Sequence, residues 1–525
     1  MPRLRSGLVG LLLAVFVTWG AFVRTWNLSG RPFWRDEAWV ATLLRGLSPV
    51  QLLRQSDAPL PPLFVLAAQW VGQRLGPPEL AWRLVPALCG VLVVPFTYLV
   101  ARTLHAPRSL ALVAASMCAS SLSLVIWSRE LKHYNIEALV SVLAALLVFQ
   151  ARRSASRSKR WALGACVTAL GLVAPWVAYG TIIPLAALLP LLLVCRPAVG
   201  SRRGTFLIGL AGLVALGIGG CTVWQVAARG QAAHAELVHY TSRWFIKPAD
   251  LDSWRPPLGS HAWATAGLFC PPGWFHRVEG QHATVMLAPI VAAIWIIAFL
   301  GLWTWPRRGR LELLWWLLIP WLMTLGASLA QRYPFGQARM MQFWVPPMVL
   351  AVTAGLVMLW RALVIAVTGR GAPALVSALL ISVFPASIVL QHARTHCHHY
   401  YHDFPTILRT LHAQRLRGEP VLVELYATPC VQYYAPTLPP PAVVTPLAVG
   451  TLPPETLDWQ ALIEPTLRQG TGRIWILAVD DSPVLTDGST RSTLRRAGYS
   501  VSLVQRAGGT AGFGGAAQLL VATRR

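Results

Sequence analysis

Eleven apolar stretches, most of them close to the length a helix needs to cross a bilayer, dominate this chain and leave little choice of fold. They run over 7–23, 80–104, 109–127, 136–150, 161–175, 177–195, 205–224, 284–304, 312–330, 342–360 and 373–391. A spanning helix needs about 20 mostly apolar residues, because the hydrocarbon offers no water to satisfy an open backbone. At 525 residues, with 55% hydrophobic and only 12% charged, the chain is too apolar for a soluble protein of several domains. The expected fold is a mainly α, polytopic membrane bundle of 11 transmembrane helices. Residues 1–23 have the basic start and apolar core of a signal peptide, but no small-x-small cleavage site follows, so they read as an uncleaved first helix.

A further apolar segment, "APLPPLFVLAAQWVGQRLG" (58–76), is short and begins with prolines. Were it to span, "MPRLR" and "ARRSASRSKR" would face opposite sides, against the positive-inside rule. Residues 62–75 are therefore expected to lie along the interface as an amphipathic or re-entrant helix. The net charge of +25 would suit nucleic acid on a soluble domain, but here it is split into short runs between apolar segments. That distribution is a topology signal, and no nucleic-acid partner is expected.

Parity then assigns the N-terminus and the loops 105–108, 151–160, 196–204, 305–311 and 361–372 to the cytoplasm. The outward segments are 24–79, 128–135, 225–283, 331–341 and everything from 392 onward. Apart from Glu312, none of the 20 acidic residues lies near the inward loops, so the polar chemistry faces outward. The expected location is the cytoplasmic (inner) membrane, with the tail periplasmic or extracellular. That tail changes character: 420–426, 473–480, 499–506 and 517–524 read as strands, and 403–417 and 489–498 as helices. The organisation expected is a transmembrane module over 1–392 and a small C-terminal extramembrane α/β domain over 393–525, with a Pro-rich loop at 436–454.

Three outward loops gather groups that can do chemistry. "RPFWRDEAWV" places Arg35, Asp36 and Glu37 together, with Asp57 following. A carboxylate at the membrane surface can serve as a general base or hold a divalent cation. Equally, Asp36 fits the N-cap of an interfacial helix. In "IWSRELKHYNIEALV", a helical turn would present Arg129, Lys132 and His133 together, beside Tyr134. Those groups suit a lipid phosphate, and they equally suit ordinary snorkelling at a helix end. "QRYPFGQARMMQFWVPP" adds Arg332, Tyr333 and Arg339 at headgroup depth.

Other features carry less. The histidines 392, 396, 398, 399 and 402 have i, i+4 spacings that suit zinc, but a polar stalk beside the membrane explains them more simply. Asp480 and Asp481 end a strand as a nucleotide-sugar metal site would, and also as a loop cap would. The glycines of "RAGGTAGFGGAAQ" lack the strand-to-helix setting of a phosphate loop. The eight cysteines form no CxxC pair; Cys397 and Cys430 can pair if the tail faces an oxidising compartment.

The order of these segments resembles the GT-C superfamily of membrane glycosyltransferases. The likeness runs over roughly residues 5–360, through "RPFWRDEAWV", "PPLFVLAAQW", "ELAWRLVPALCGVLVVPFTYLVARTL", "SRELKHYNIEAL" and "RYPFGQARMMQFWVPP". It is strongest to the branch of protein mannosyltransferases, aminoarabinose transferases and lipopolysaccharide-core galacturonosyltransferases. The resemblance implies a polyprenyl-phosphate sugar as donor, a lipid, glycan or protein as acceptor, and work at the outer face of the cell-envelope membrane. It implies Asp36 as the catalytic carboxylate with Glu37 as its neighbour, and Arg129, Lys132, Tyr134, Tyr333 and Arg339 on the donor phosphate. Many relatives carry a histidine before the Pro-Pro, whereas this chain has "SDAPLPPL"; a divalent cation such as Mg or Mn therefore stays an open expectation.

Transfer from a lipid phosphate needs a base for the acceptor hydroxyl and positive charge for the departing phosphate. The residues thus favour an inverting glycosyltransferase with Asp36 as general base. Two other classes fit less well. A flippase or transporter for lipid-linked sugars would show repeats or charges at helix centres, and a scaffold with the tail as binding module would tolerate loss of Asp36 and Arg339.

Overall fold

The computed structural model describes residues 6–54, 60–194, 202–228, 281–336 and 338–368, short stretches between 245 and 265, residue 386, and most of 403–435, 471–479, 489–507 and 516–524, with 445–446 and 466–467. The expected helix 373–391, the histidine cluster, Asp57, Cys397, Asp480 and Asp481 lie outside the described residues.

Among the described residues, seven helices are long and apolar enough to cross a membrane, and an eighth is formed if the bent pair Arg108–Ala119 and Leu122–Ser128 is one span. The chain is a multi-pass membrane protein. Two more of the expected spans are shorter apolar helices, Tyr179–Leu193 and Ala288–Thr304. The first is broken into Tyr179–Thr181, Ile182–Leu188 and Leu191–Val194, with Pro184 and Pro190 in the interrupted stretch, because proline removes a donor and crowds the preceding turn. The proline-led segment forms only Pro62–Gly72. Its 11 residues reach roughly 16 Å at 1.5 Å each, half of a hydrocarbon core. Pro62 sits in the first turn, where its missing N–H leaves no bond unmade.

The chain falls into two compact units. The first comprises Met1–Trp26, Leu53–Val71 and Arg83–Ala393. Its helix Tyr134–Arg153 is the most enclosed span, and its two ends collect different loops. At the C-terminal end Glu312 accepts from both Arg152 Nη1 and Arg153 Nη2 at 3.0 Å. The Trp305 indole donates to Leu104 O at 3.1 Å, and Arg160 to Ser154 O at 2.8 Å. Loops near 105, 154 and 306, all assigned to one side by parity, therefore meet at one end of the bundle. At the other end Gln342 donates to Ser123 at 2.9 Å, Ser141 to Phe343 O at 2.8 Å, and Tyr179 to Leu60 O at 2.9 Å. The helix between these ends has 20 residues, about 30 Å of rise.

Close helix contact depends on missing side chains. A Cβ on Gly301 would overlap Ala351 O, and one on Gly355 would overlap Ile297 O. Helices 281–304 and 345–368 thus touch backbone to backbone, as small residues permit in membranes. We expect Gly355→Leu to lower the melting temperature of the detergent-solubilised protein by several degrees, the overpacking term being about 1–3 kcal/mol. An unchanged melting curve would show that this pair does not set stability.

The second unit comprises Asn27–Leu52, Gly72–Trp82 and Arg394–Arg525. Its sheet has the order β2-β1-β3-β5-β4: β2 (Thr445–Pro446), β1 (Val421–Val423) and β3 (Arg473–Val479) run parallel, and β5 (Ala517–Arg524) and β4 (Tyr499–Ala507) join antiparallel. Strand β3 is buried along nearly its whole length, as a central strand covered on both faces must be. Leu422, Ile474, Ile476, Leu494, Tyr499 and Leu520 make one core. Helix Phe404–Gln414 begins at Asp403, whose carboxylate accepts from Thr406 N at 3.2 Å. The four expected strands and two expected helices appear with shifted ends, and the chain carries the small C-terminal sheet expected of it; helix Thr428–Tyr434 and the short strand β2, inside the segment read as a Pro-rich loop, were not expected.

Candidate functional site

The candidate groups fall into two sets, one in each unit. In the second unit the first outward loop ends in the helix Arg35–Gly46, whose N-cap is Trp34. This corrects the expectation that Asp36 is the N-cap: the helix starts earlier, putting Asp36 at the second and Glu37 at the third helical position. The two acids then diverge. Glu37 is fully buried; its Oε2 accepts from the Trp34 backbone N–H at 3.5 Å and lies 3.6 Å from Arg31 Nη2. Such a reach back to the helix start is what a carboxylate at the third position does. Asp36 keeps 20% of its side chain exposed, with Arg35 Nε 3.1 Å from its Oδ1.

The loop before this helix is held by the short helix Thr428–Tyr434. The Phe33 N–H donates to the Tyr434 phenol at 2.6 Å, and Phe33 O faces the Cys430 thiol at 3.8 Å. The Phe33 ring stacks on Trp82 at 5.9 Å and meets Tyr433 edge-on at 5.3 Å. Arg45, in the last turn of the acid-bearing helix, donates to Tyr433 O at 3.4 Å. Burial pushes the Cys430 thiol well above its ordinary range, with Arg35 pulling the other way and Asp36 and Glu37 adding to the rise.

In the first unit, residues 129–133 form a bend between helices Leu122–Ser128 and Tyr134–Arg153. The expected helical turn through Arg129, Lys132 and His133 is absent, because residues 129–133 are a turn and bends between the two helices. Arg129 instead turns back and donates to Val23 O and Trp26 O, each at 2.8 Å, closing the open carbonyls that end helix Ser6–Thr25. Lys132 and His133 are buried, and the His133 ring packs on Tyr134, Phe64 and Tyr179. Tyr134 is buried edge-on to Trp127. Tyr333 donates to Met340 O at 2.7 Å; burial, with Glu137 and Tyr134 nearby, holds its phenol well above the ordinary range, so it stays a neutral donor. Arg339 lies near enough to His133 to act on its charge, and Arg332 is exposed.

One member of this set was not among the sequence candidates. Glu137 is buried, its Oε1 is 3.9 Å from His133 Nε2, and its carboxylate fills the space where a Gly180 Cβ would stand at 2.5 Å. The available signal was an acid four residues after a histidine inside an apolar span, which by itself marks a functional position. Tyr433 and Tyr434 gave none, Tyr434 being 401 residues from Phe33 in sequence.

Among the described residues, no group of three or more His, Cys, Asp or Glu converges as metal ligands would. Asp36 and Glu37 each face a guanidinium instead, so this donor set does not fit a divalent cation and no step is assigned to one.

Burial first, then repulsion from Lys132 and Arg339, pushes the His133 pKa down from 6.5 to about 3; burial takes His261 down to about 4. The unfolded chain takes up these protons as pH falls through about 6.5, while the folded chain does not, so stability rises with pH between those limits and is lost on acidification. We expect the melting temperature in detergent to fall from pH 7 to pH 5 and His133→Gln to weaken that dependence, although Glu137 also faces the ring. An identical pH slope in the variant would remove His133 from the account.

The family model of dolichyl-phosphate-mannose-protein mannosyltransferase matches residues 59–218. No curated protein matches the chain by sequence. In three dimensions the chain is similar to ArnT from Cupriavidus metallidurans at 14% identity, with 98% of each chain covered and a TM-score of 0.56 for the apo state and 0.53 for the form bound to undecaprenyl phosphate. It is also similar to the oligosaccharyltransferase of Archaeoglobus fulgidus in complex with Zn and sulfate, at 13% identity and a TM-score of 0.50, covering 92% of this chain and 69% of that one.

Proposed function

We propose, from the premise that this multi-pass membrane protein has the GT-C fold, that it is an inverting glycosyltransferase using a polyprenyl-phosphate sugar at the outer face of the cytoplasmic membrane. The observation that carries the reading is the separation of the two loop acids. Glu37 is consumed by burial, Arg31 and the helix start, whereas Asp36, in the first turn of helix Arg35–Gly46, keeps 20% of its side chain exposed beside Arg35.

In the proposed reaction Asp36 takes the proton of the acceptor hydroxyl as its oxygen bonds to the sugar C1. The C1–O bond to phosphate breaks on the opposite side, and the electron pair leaves with the polyprenyl phosphate. Lys132 and Arg339 hold that phosphate as its charge grows, with Tyr333 and Tyr134 as neutral walls and His133 kept uncharged beside them. Arg129 and Arg35 serve the frame, through helix Ser6–Thr25 and Asp36 respectively; Arg332 and Asp57 are assigned to donor binding from their place in the outward loops of the sequence alone. The acceptor is a lipid, glycan or protein carrying a hydroxyl. ArnT, solved with undecaprenyl phosphate bound, supports a lipid phosphate as the leaving group.

A test that also addresses the transporter reading uses the protein in vesicles loaded with a labelled undecaprenyl-phosphate sugar and supplied with hydroxyl-bearing acceptors. Cleavage of the sugar–phosphate bond, dependent on the protein, supports transfer. Movement of intact donor across the bilayer without cleavage would contradict it.

A further inference from the structure

We propose that the C-terminal domain, through its short helix Thr428–Tyr434, positions the catalytic loop, and that Tyr434 is the residue that fixes it; the inference rests on Asp36 being the base. The helix Arg35–Gly46 packs on Thr428–Tyr434 within one unit. Three attachments converge at Phe33, three residues before Asp36: the phenol of Tyr434 accepts its N–H, the Cys430 thiol faces its carbonyl, and Tyr433 with Trp82 encloses its ring. Phe33 is fully buried by them. A fourth attachment, Arg45 to Tyr433, lies at the far end of the same helix, with the guanidinium 5.8 Å from the ring centroid. The segment carrying Asp36 is therefore tied at both ends to a helix that follows it by some 400 residues in sequence.

The chemistry explains the arrangement. A general base acts only within hydrogen-bond reach of its proton, and a misplacement of about 1 Å lowers turnover about 100-fold. A surface loop alone does not hold a carboxylate that closely, whereas a buried phenol bonded to the backbone at the loop's end removes its freedom. Tyr434 thus acts through Asp36 as a positioning residue. This gives the tail a role in the reaction that needs no ligand of its own.

Cys430 supplies a reporter that does not depend on activity. It is buried, with its thiol against Phe33, so its rate of maleimide labelling follows the opening of the loop. The experiment uses the full-length protein with the other seven cysteines replaced by serine, assayed with a donor that the parent turns over. Tyr434→Phe leaves the Phe33 N–H without its acceptor. It is expected to speed Cys430 labelling by about 5- to 50-fold, the range for an unmet buried donor, and to lower kcat with the donor KM changed less than about twofold. Arg45→Met should act in the same direction and more weakly, and it guards against a folding defect in the tyrosine variant. Asp36→Asn should lower kcat and leave labelling unchanged. Faster labelling with unaltered kcat would make the clasp merely structural and overturn the proposal. Reduced kcat with unaltered labelling would also overturn it, since Tyr434 would then act other than by holding the loop. Failure of the parent to turn over any donor would instead remove the transferase reading on which the proposal stands.

Discussion

Replacing Asp36 by asparagine should leave a protein that inserts and folds but turns over its donor about 10²- to 10⁴-fold more slowly, the contribution of a positioned general base. That loss corresponds to about 3–5 kcal/mol of transition-state stabilisation. The structural share of Asp36 is far smaller. Its ion pair with Arg35 is partly exposed and contributes about 1 kcal/mol at most, and a negative charge in the first helical turn adds about 0.3–1 kcal/mol. Glu37→Gln should show the reverse pattern. Its carboxylate is fully buried against Arg31 and the helix start, and breaking such a pair destabilises by about 3–5 kcal/mol. Melting curves and turnover of the two variants, measured side by side, separate the base from the strut. Equal losses of stability in both, with turnover otherwise intact, would make Asp36 a structural residue of the first helical turn rather than the base.

Removing both cations assigned to the donor phosphate should be nearly as severe. Lys132→Ala combined with Arg339→Ala is expected to lower kcat/KM by about 10²- to 10⁴-fold. Each charge-assisted hydrogen bond to a phosphate contributes about 1.5–3 kcal/mol, and two groups on one phosphate do not add fully. The phosphate gains charge as it leaves, so the loss should appear in kcat as well as in KM. Inhibition by free polyprenyl phosphate should weaken in parallel. Arg129→Ala should differ, because its guanidinium closes helix carbonyls at Val23 and Trp26: thermal stability falls first. A double variant with unchanged inhibition by the lipid phosphate would detach these cations from the donor.

Much of the frame was legible because hydropathy and membrane solvation are local properties. The stretch 136–150 and the described helix Tyr134–Arg153 differ only at their ends, and the strand pattern of 473–480 survives as β3. The prolines at 61 and 62 announced a helix too short to span, and Pro62–Gly72 is that helix. Errors arose where long-range contacts decide. Arg129 has the spacing of a phosphate ligand with Lys132, but its geometry is set by the end of helix Ser6–Thr25, more than 100 residues earlier in the chain. Asp36 has the composition of an N-cap, yet the chain enters the helix at Trp34 once Phe33 is fastened by Tyr434. Glu137 was visible as an acid in an apolar span, but its neighbour Gly180 lies in the separate short helical turn Tyr179–Thr181, and spacing in sequence says nothing about such an approach.

The most direct measurement of the central claim takes the purified wild-type protein and its Asp36→Asn variant, supplies a panel of polyprenyl-phosphate sugars with hydroxyl-bearing acceptors, and follows the lipid by mass spectrometry. The account predicts sugar-free polyprenyl phosphate from at least one donor with the wild type and a loss of at least about 100-fold with the variant. Release at equal rates by both proteins, or from no donor by either, would contradict it.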